Sequence, residues 1–360
     1  MTMSPPDHAN RTADRSAGII PASEEAADDP DALIGSDGDI VKGRPKKLKM
    51  AIRYAIGLLI LFAVSRQVTR TWSNWRVQSD LFEVSYGPML AAVAAYVGGL
   101  VAFGFYYGVI VRNVRPSLGH LPSLRAYLLS HPAKYVPGKA MVVVVRIAIL
   151  GREGVGPAAA SFTAIFETLS MMALGGLLGA ILLILPGGHR LGATLSLGMG
   201  VAFLATVLPW TFGKAVRILK KGVPKIDPAD CPRPGSREVL KLTILGTGGW
   251  LAWGISGVLV VSALSGGNLR PLEEWPRIAG AVMVGTAGGF ALPLLPGGLG
   301  LREGIYAEVT KGVLGPDLAI ASALALRFVW VVGEVIAVAA ISLIPEPRVE
   351  LPNPNGPCDA

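Results

Sequence analysis

Arg302 and Glu303 stand directly behind Leu295-Pro296-Gly297-Gly298-Leu299-Gly300, so that two opposite charges follow a set of helix breakers inside an otherwise apolar run. Arg327 and Glu334 lie further on in an apolar stretch, seven residues apart and therefore on one face of a single helix. Arg146 and Glu167 sit in comparable apolar surroundings in the first half, and Lys139 follows the turn Pro137-Gly138. Ionisable groups in such runs are costly unless they face a polar interior and find partners. Arginines there can hold phosphate as a bidentate fork. A carboxylate can accept an amine or a sugar hydroxyl, or carry a proton, and the same residues can equally form a salt-bridge network that only fixes helix packing. Backbone N–H groups at helix starts behind the two Pro-Gly turns also favour an anion.

Other chemistries have few tools. His8, His120, His131 and His189 fall in tails or loops without metal-ligand spacing, which argues against a metal hydrolase. Cys231 and Cys358 are too few for a disulfide scaffold or a thiolate cluster. Ser130, Ser161 and Ser170 have no base at a telling distance in sequence, and Gly297–Gly300 lacks the Gly-Lys-Ser/Thr of a nucleotide loop. The chain is thus expected to be neither an enzyme nor an ATP-driven pump, with no cofactor and no metal.

The elements that must position these charges are membrane helices. Of 360 residues, 51% are hydrophobic and 16% charged, and mean hydropathy is +0.51, a membrane composition. Residues 1–49 read as a disordered cytosolic tail ending in a basic collar of Lys42, Arg44, Lys46, Lys47 and Lys49, with Arg53 just beyond. No cleavable signal peptide is expected ahead of the first apolar run. Residues 50–344 read as the transmembrane domain and 345–360 as a flexible tail. Apolar runs predict spans over Tyr54–Ser65, Val84–Val111, Pro157–Leu185, Leu191–Phe212, Leu242–Leu269 and Ala319–Leu343, while Ile278–Leu295 enters the membrane and meets the Pro-Gly break. The aromatic cluster Phe103, Phe105, Tyr106 and Tyr107 reads as an interfacial belt.

Residues 131–153 are too broken by Pro132, Pro137, Gly138 and Arg146 for a full crossing. Taking them as a re-entrant hairpin puts the basic stretch Lys214–Lys241 in the cytosol, as the excess of Lys and Arg on that side requires. The two halves also echo each other: Pro137-Gly138, then Arg146, then a helix with Glu167 parallels Pro296-Gly297-Gly298, then Arg302 and Glu303, then a helix with Arg327 and Glu334. Paired Gly/Pro-interrupted segments point to a binding site at a repeat interface. The expected fold is all-α, a polytopic membrane protein of about 6–8 spans with two related halves and broken or re-entrant helices. Gly175, Gly176 and Gly179 permit close helix approach within or between chains.

Ala133-Lys134-Tyr135-Val136-Pro137-Gly138, Arg146, Glu167, Leu295 through Gly304 and Arg327 resemble the flippase-like membrane region of lysylphosphatidylglycerol synthases. The resemblance covers roughly residues 50 to 343. It implies a protein that moves a lipid-linked substrate between leaflets, with Pro137, Gly138, Arg146, Glu167, Pro296, Gly297, Gly298, Arg302, Glu303 and Arg327 as the residues to carry over. The aminoacyl-transfer domain of the two-part family member is not in this sequence, so synthesis of lysylphosphatidylglycerol is not expected.

Together these readings predict binding and translocation of an anionic or zwitterionic lipid: a phospholipid, a glycolipid or a polyprenyl-phosphate-linked molecule. The substrate-binding set is Arg146, Glu167, Arg302, Glu303, Arg327, Glu334 and Lys139; the breaks are Pro137, Gly138, Pro296, Gly297, Gly298 and Gly300. A secondary transporter of a small anionic solute, or a membrane scaffold for a glycosyltransferase or lipid-modifying enzyme, are the competing readings. Partners are membrane lipids, such an enzyme, or further copies of the chain, and not nucleic acid. The location is the cytoplasmic (inner) membrane, with the N-terminus cytosolic.

Overall fold

Long uncharged apolar segments bounded by Gly, Pro or charge give helices, and no strand occurs among the described residues. The computed structural model describes residues 62, 66, 69, 84–136, 140–185, 189–222, 227–266, 274–291 and 300–345. These belong to one compact unit, Ile56–Ala360. The basic collar, most of the span read over Tyr54–Ser65, both tails apart from Pro345, and Pro137, Gly138, Lys139, Pro296, Gly297 and Gly298 lie outside the described residues.

The helices are α1 (Tyr86–Val114), α2 (His120–Ser130), α3 (Ala140–Leu150), α4 (Pro157–Ile184), α5 (Arg190–Val207), α6 (Pro209–Gly222), α7 (Ser236–Leu264), α8 (Trp275–Ala291), α9 (Leu301–Leu314) and α10 (Pro316–Leu343), with a 3₁₀ turn at His131–Tyr135 between α2 and α3. Five of them, α1, α4, α5, α7 and α10, are long and apolar enough to cross a membrane. At 1.5 Å per residue they reach from about 27 Å to about 44 Å, against roughly 30 Å of hydrocarbon. With 11 residues each, α2 and α3 reach only about 16 Å, half that thickness. The 17 and 14 residues of α8 and α9 are likewise short.

Helix α1 runs antiparallel to α7. The amide of Ser85 donates to the carbonyl of Ala263 (2.8 Å) at one end, and the amide of Arg233, just ahead of α7, donates to Asn113 Oδ1 (2.5 Å) at the other. The α2–α3 pair is attached where α1 finishes, and α8–α9 where α7 finishes, so the two short pairs enter from opposite ends of the bundle. Depth follows from α10. Arg125 of α2 donates to the carbonyls of Ile341 (3.2 Å) and Ile344 at its end, whereas Lys134, past α2, reaches Glu334. Glu334 lies about 15 Å back along the helix from Ile344. Glu303 of α9 reaches Arg327, about 16 Å from the other end of α10. The first short pair therefore turns, and the second resumes, near the middle of α10.

Two sequence readings are corrected and one left open is decided. The run Leu191–Phe212 is not one helix: α5 stops at Val207, because Leu208 precedes Pro209 and is held extended (φ −57°, ψ 139°). The chain restarts as α6, which buries Phe212 and Val216 while Lys214, Arg217, Lys220 and Lys221 stay exposed. Nor is the aromatic cluster a belt. Phe103, Tyr106 and Tyr107 are core residues, Phe103 packing edge-on against Trp250 and Trp253, and only Phe105 is exposed. The small residues of α4, left open between intra- and intermolecular contact, pack within the chain. A Cβ on Gly176 would meet the backbone of Gly200 at 2.6 Å, and one on Gly175 the ring of Trp250 at 2.3 Å, so α4 touches α5 backbone to backbone.

Candidate functional site

Three carboxylates lie close to the two breaks, and each is paired. Glu167 Oε2 accepts from Arg146 (2.8 Å), an ion pair with both side chains about 3% exposed. Arg146 also donates to Ser130 Oγ (3.1 Å) and lies over Tyr107, 4.2 Å from the ring centre. Glu334 Oε1 accepts from Lys134 Nζ (2.6 Å) and Tyr96 Oη (2.8 Å), and Lys134 donates to His131 Nε2 (2.9 Å). Glu303 Oε1 accepts from Arg327 (3.2 Å). Its Oε2 accepts from the amide of Gly300 (2.8 Å), closing a capping contact at the start of α9. Gly300 has φ 83°, a left-handed conformation that suits glycine where the chain turns into α9.

The fourth cation differs. Arg302 has no carboxylate partner among the described residues; its guanidinium lies 3.6 Å from the ring centre of Trp330. Trp330 in turn stacks on Tyr96 (4.4 Å) and packs near Trp253 (4.8 Å). A Cβ on Gly333 would come within 2.7 Å of the Tyr96 ring, so a glycine one turn from Trp330 lets α1 approach α10. The indole N–H groups of Trp253 and Trp330 and Glu334 Oε2 are buried without a hydrogen-bond partner among the described residues.

Of these groups Lys134, Arg146, Glu167, Arg302, Trp253 and Trp330 line a cavity of about 310 Å³. Among the described residues of this cluster four cations stand against three carboxylates, one positive charge in excess, and the chamber beside them is largely apolar. Such a place favours an anion, because a guanidinium out of water needs an opposite charge.

Of the residues singled out from sequence, Arg146, Glu167 and Arg302 line the cavity. Glu334 lies behind it, through Lys134. Arg327 and Glu303 form their own pair, and neither is in the cavity wall. Lys139 and the Pro-Gly breaks other than Gly300 lie outside the described residues. Sequence reasoning passed over Lys134, which stands one residue before Tyr135 in the first motif, and Tyr96, Trp253 and Trp330, which carried no charge to mark them.

The family profile described as Lysylphosphatidylglycerol synthase TM region matches residues 50–337. The chain belongs to this family. Comparison with curated proteins found no match. Membership in the lysylphosphatidylglycerol synthase TM region family covers both breaks and all three ion pairs except that its matched segment ends just short of the end of α10.

Proposed function

We propose that the protein binds the phosphate-bearing headgroup of a lipid at the mid-bundle cavity and passes it between leaflets. The observation that carries this reading is Arg302, a cation held over Trp330 in the cavity wall while the neighbouring carboxylates among the described residues, Glu167, Glu303 and Glu334, are each already paired. An anion entering the cavity meets Arg302 and, from the other short helix pair, Lys134 and Arg146, with the Trp253 and Trp330 N–H groups as neutral donors. The volume suits a headgroup, at the small end of the roughly 300–1,000 Å³ of ligand sites.

In this reading residues 86–184 and 236–343 are two related halves of inverted orientation. Each contributes a long helix, a short pair that turns near mid-membrane, and another long helix, with lengths 29, 11, 11, 28 against 29, 17, 14, 28. A site at such a junction can be exposed to either side by a modest rocking of the halves. The basic end bearing α6 faces the cytosol, and the membrane is the cytoplasmic one. We assign the chain no bond-making step.

Native mass spectrometry of gently purified wild type beside Arg302→Ala tests the site. The reading expects an anionic phospholipid or lipid phosphate held by wild type and lost from the variant at unchanged fold. Identical lipid profiles would reduce the cluster to a structural network.

A further inference from the structure

A second and larger cavity, about 920 Å³, lies at the basic end of the bundle, between α4, α5, α6 and the start of α7. It shares no lining residue with the mid-bundle site. Its interior is apolar, with Phe166, Leu174, Leu177, Phe212 and Val216 among its walls, and its rim carries Arg217 of α6 and Arg233 of the following loop. The same elements carry exposed Lys214, Lys220 and Lys221 on α6 and Arg237 and Lys241 on α7, which outnumber Asp227, Asp230 and Glu238 of the loop and the first turn of α7. An amphipathic helix with apolar residues inward and cations outward lies in the plane of a membrane interface.

We propose that this chamber is a binding site for an anionic phospholipid of the leaflet at the basic end. The acyl chains lie between α4 and α6, and the phosphate rests on Arg217 and Arg233. Size and charge together select this occupant. The volume is at the upper end of small-ligand sites, the walls offer an alkyl chain dispersion contacts, and a rim of cations discriminates against a zwitterionic headgroup of the same chain length. The site is separate from the translocation pathway proposed above. It anchors α6 across the C-terminal end of α5, where the chain has already been broken by Pro209.

Gly213 supplies the test, because it lines the chamber yet a Cβ built on it meets nothing within 4 Å. Gly213→Leu therefore adds a side chain at the chamber wall whose Cβ meets no neighbour, and it raises helix propensity in α6. Full-length protein is reconstituted in vesicles of equal palmitoyl-oleoyl phosphatidylglycerol and phosphatidylcholine, re-extracted, and its retained lipid counted by native mass spectrometry. Wild type is expected to retain phosphatidylglycerol in preference, and Gly213→Leu to lose that pool. Arg217→Gln with Arg233→Gln should keep chain binding but lower the preference about fivefold per cation. Arg302→Ala should leave the pool intact, which separates this site from the central one. Equal retention of the two lipids by wild type, or an unchanged pool in Gly213→Leu, would overturn the proposal.

Cys231, which also lines the chamber, gives a second reading in a Cys358→Ser background. Phosphatidylglycerol in the vesicle should slow its alkylation relative to phosphatidylcholine alone, and equal rates would contradict the assignment.

Discussion

Lys134 and Glu334, 200 residues apart, meet at 2.6 Å. The contact ties the turn between the two helices of the first short pair to the middle of the last long helix, and Tyr96 of α1 donates to the same carboxylate oxygen. One buried acceptor thus fixes three elements.

Replacing Lys134 by Met leaves Glu334 buried without its cation. The loss should exceed about 2 kcal/mol, short of the 3–5 kcal/mol for fully buried pairs because Lys134 is 24% exposed. Tyr96→Phe removes a hydrogen bond to a charged acceptor, worth about 1.5–3 kcal/mol. The two should be non-additive, as expected for partners sharing one oxygen. Thermal unfolding in detergent measures both, and full additivity would mean that the two groups act on Glu334 independently.

Arg146 and Glu167 are more deeply buried, and removal of either alone should cost about 3–5 kcal/mol. Arg146→Met combined with Glu167→Gln should recover most of that loss, since no charge is then left unpaired. Comparable instability of the double variant and the singles would assign the damage to lost packing on Tyr107 and on Tyr127, whose ring centre lies 5.2 Å from the guanidinium.

Gly176 faces Gly200 with no room for a side chain. Gly176→Leu should separate α4 from α5 and lower the yield of folded protein, while Gly198→Leu on the open face of α5, where a Cβ meets nothing within 4 Å, should change neither yield nor melting temperature. Size-exclusion profiles of the two variants make the comparison, and equal behaviour would remove the close approach from the account.

Cys231 lies in the loop before α7, and burial pushes its thiol up from the ordinary range, with Arg233 opposing. Since the thiolate is the reactive form, its alkylation should keep accelerating at pH values where a free thiol has already levelled off. In the Cys358→Ser background a rate that plateaus with free cysteine would show that the thiol is open to water.

The charged residues were legible because charge in an apolar run is rare and expensive, so Arg146, Glu167, Arg302, Glu303, Arg327 and Glu334 announced themselves one by one. Their pairing was not. The seven-residue spacing put Arg327 and Glu334 on one face of α10 but could not tell that they serve opposite breaks, a fact set by which short helix comes down on which side. Aromatic residues misled for a related reason. Periodicity and position cannot distinguish a ring at an interface from one in a helix contact, and in Phe103, Tyr106 and Tyr107 contact with α4 and α7 decides. Lys134 escaped because it borders a Pro-Gly turn, where a lysine that reaches out to water and one that reaches across to Glu334 have the same local sequence. The split between α5 and α6 was readable in principle, Pro209 being the signal.

The central claim is that Arg302 receives a lipid phosphate on its way across the bilayer. Its most direct measurement is leaflet transfer of a fluorescent phosphatidylglycerol in proteoliposomes, scored by quenching of the outer leaflet, for wild type, Arg302→Lys and Arg302→Ala. The account predicts transfer above protein-free vesicles for wild type, partial transfer for the lysine variant, and a loss of at least about tenfold for alanine, the cost of a charge-assisted hydrogen bond, with the melting temperature unchanged. Wild-type rates in Arg302→Ala, or no transfer by wild type while small inorganic anions cross readily, would contradict it.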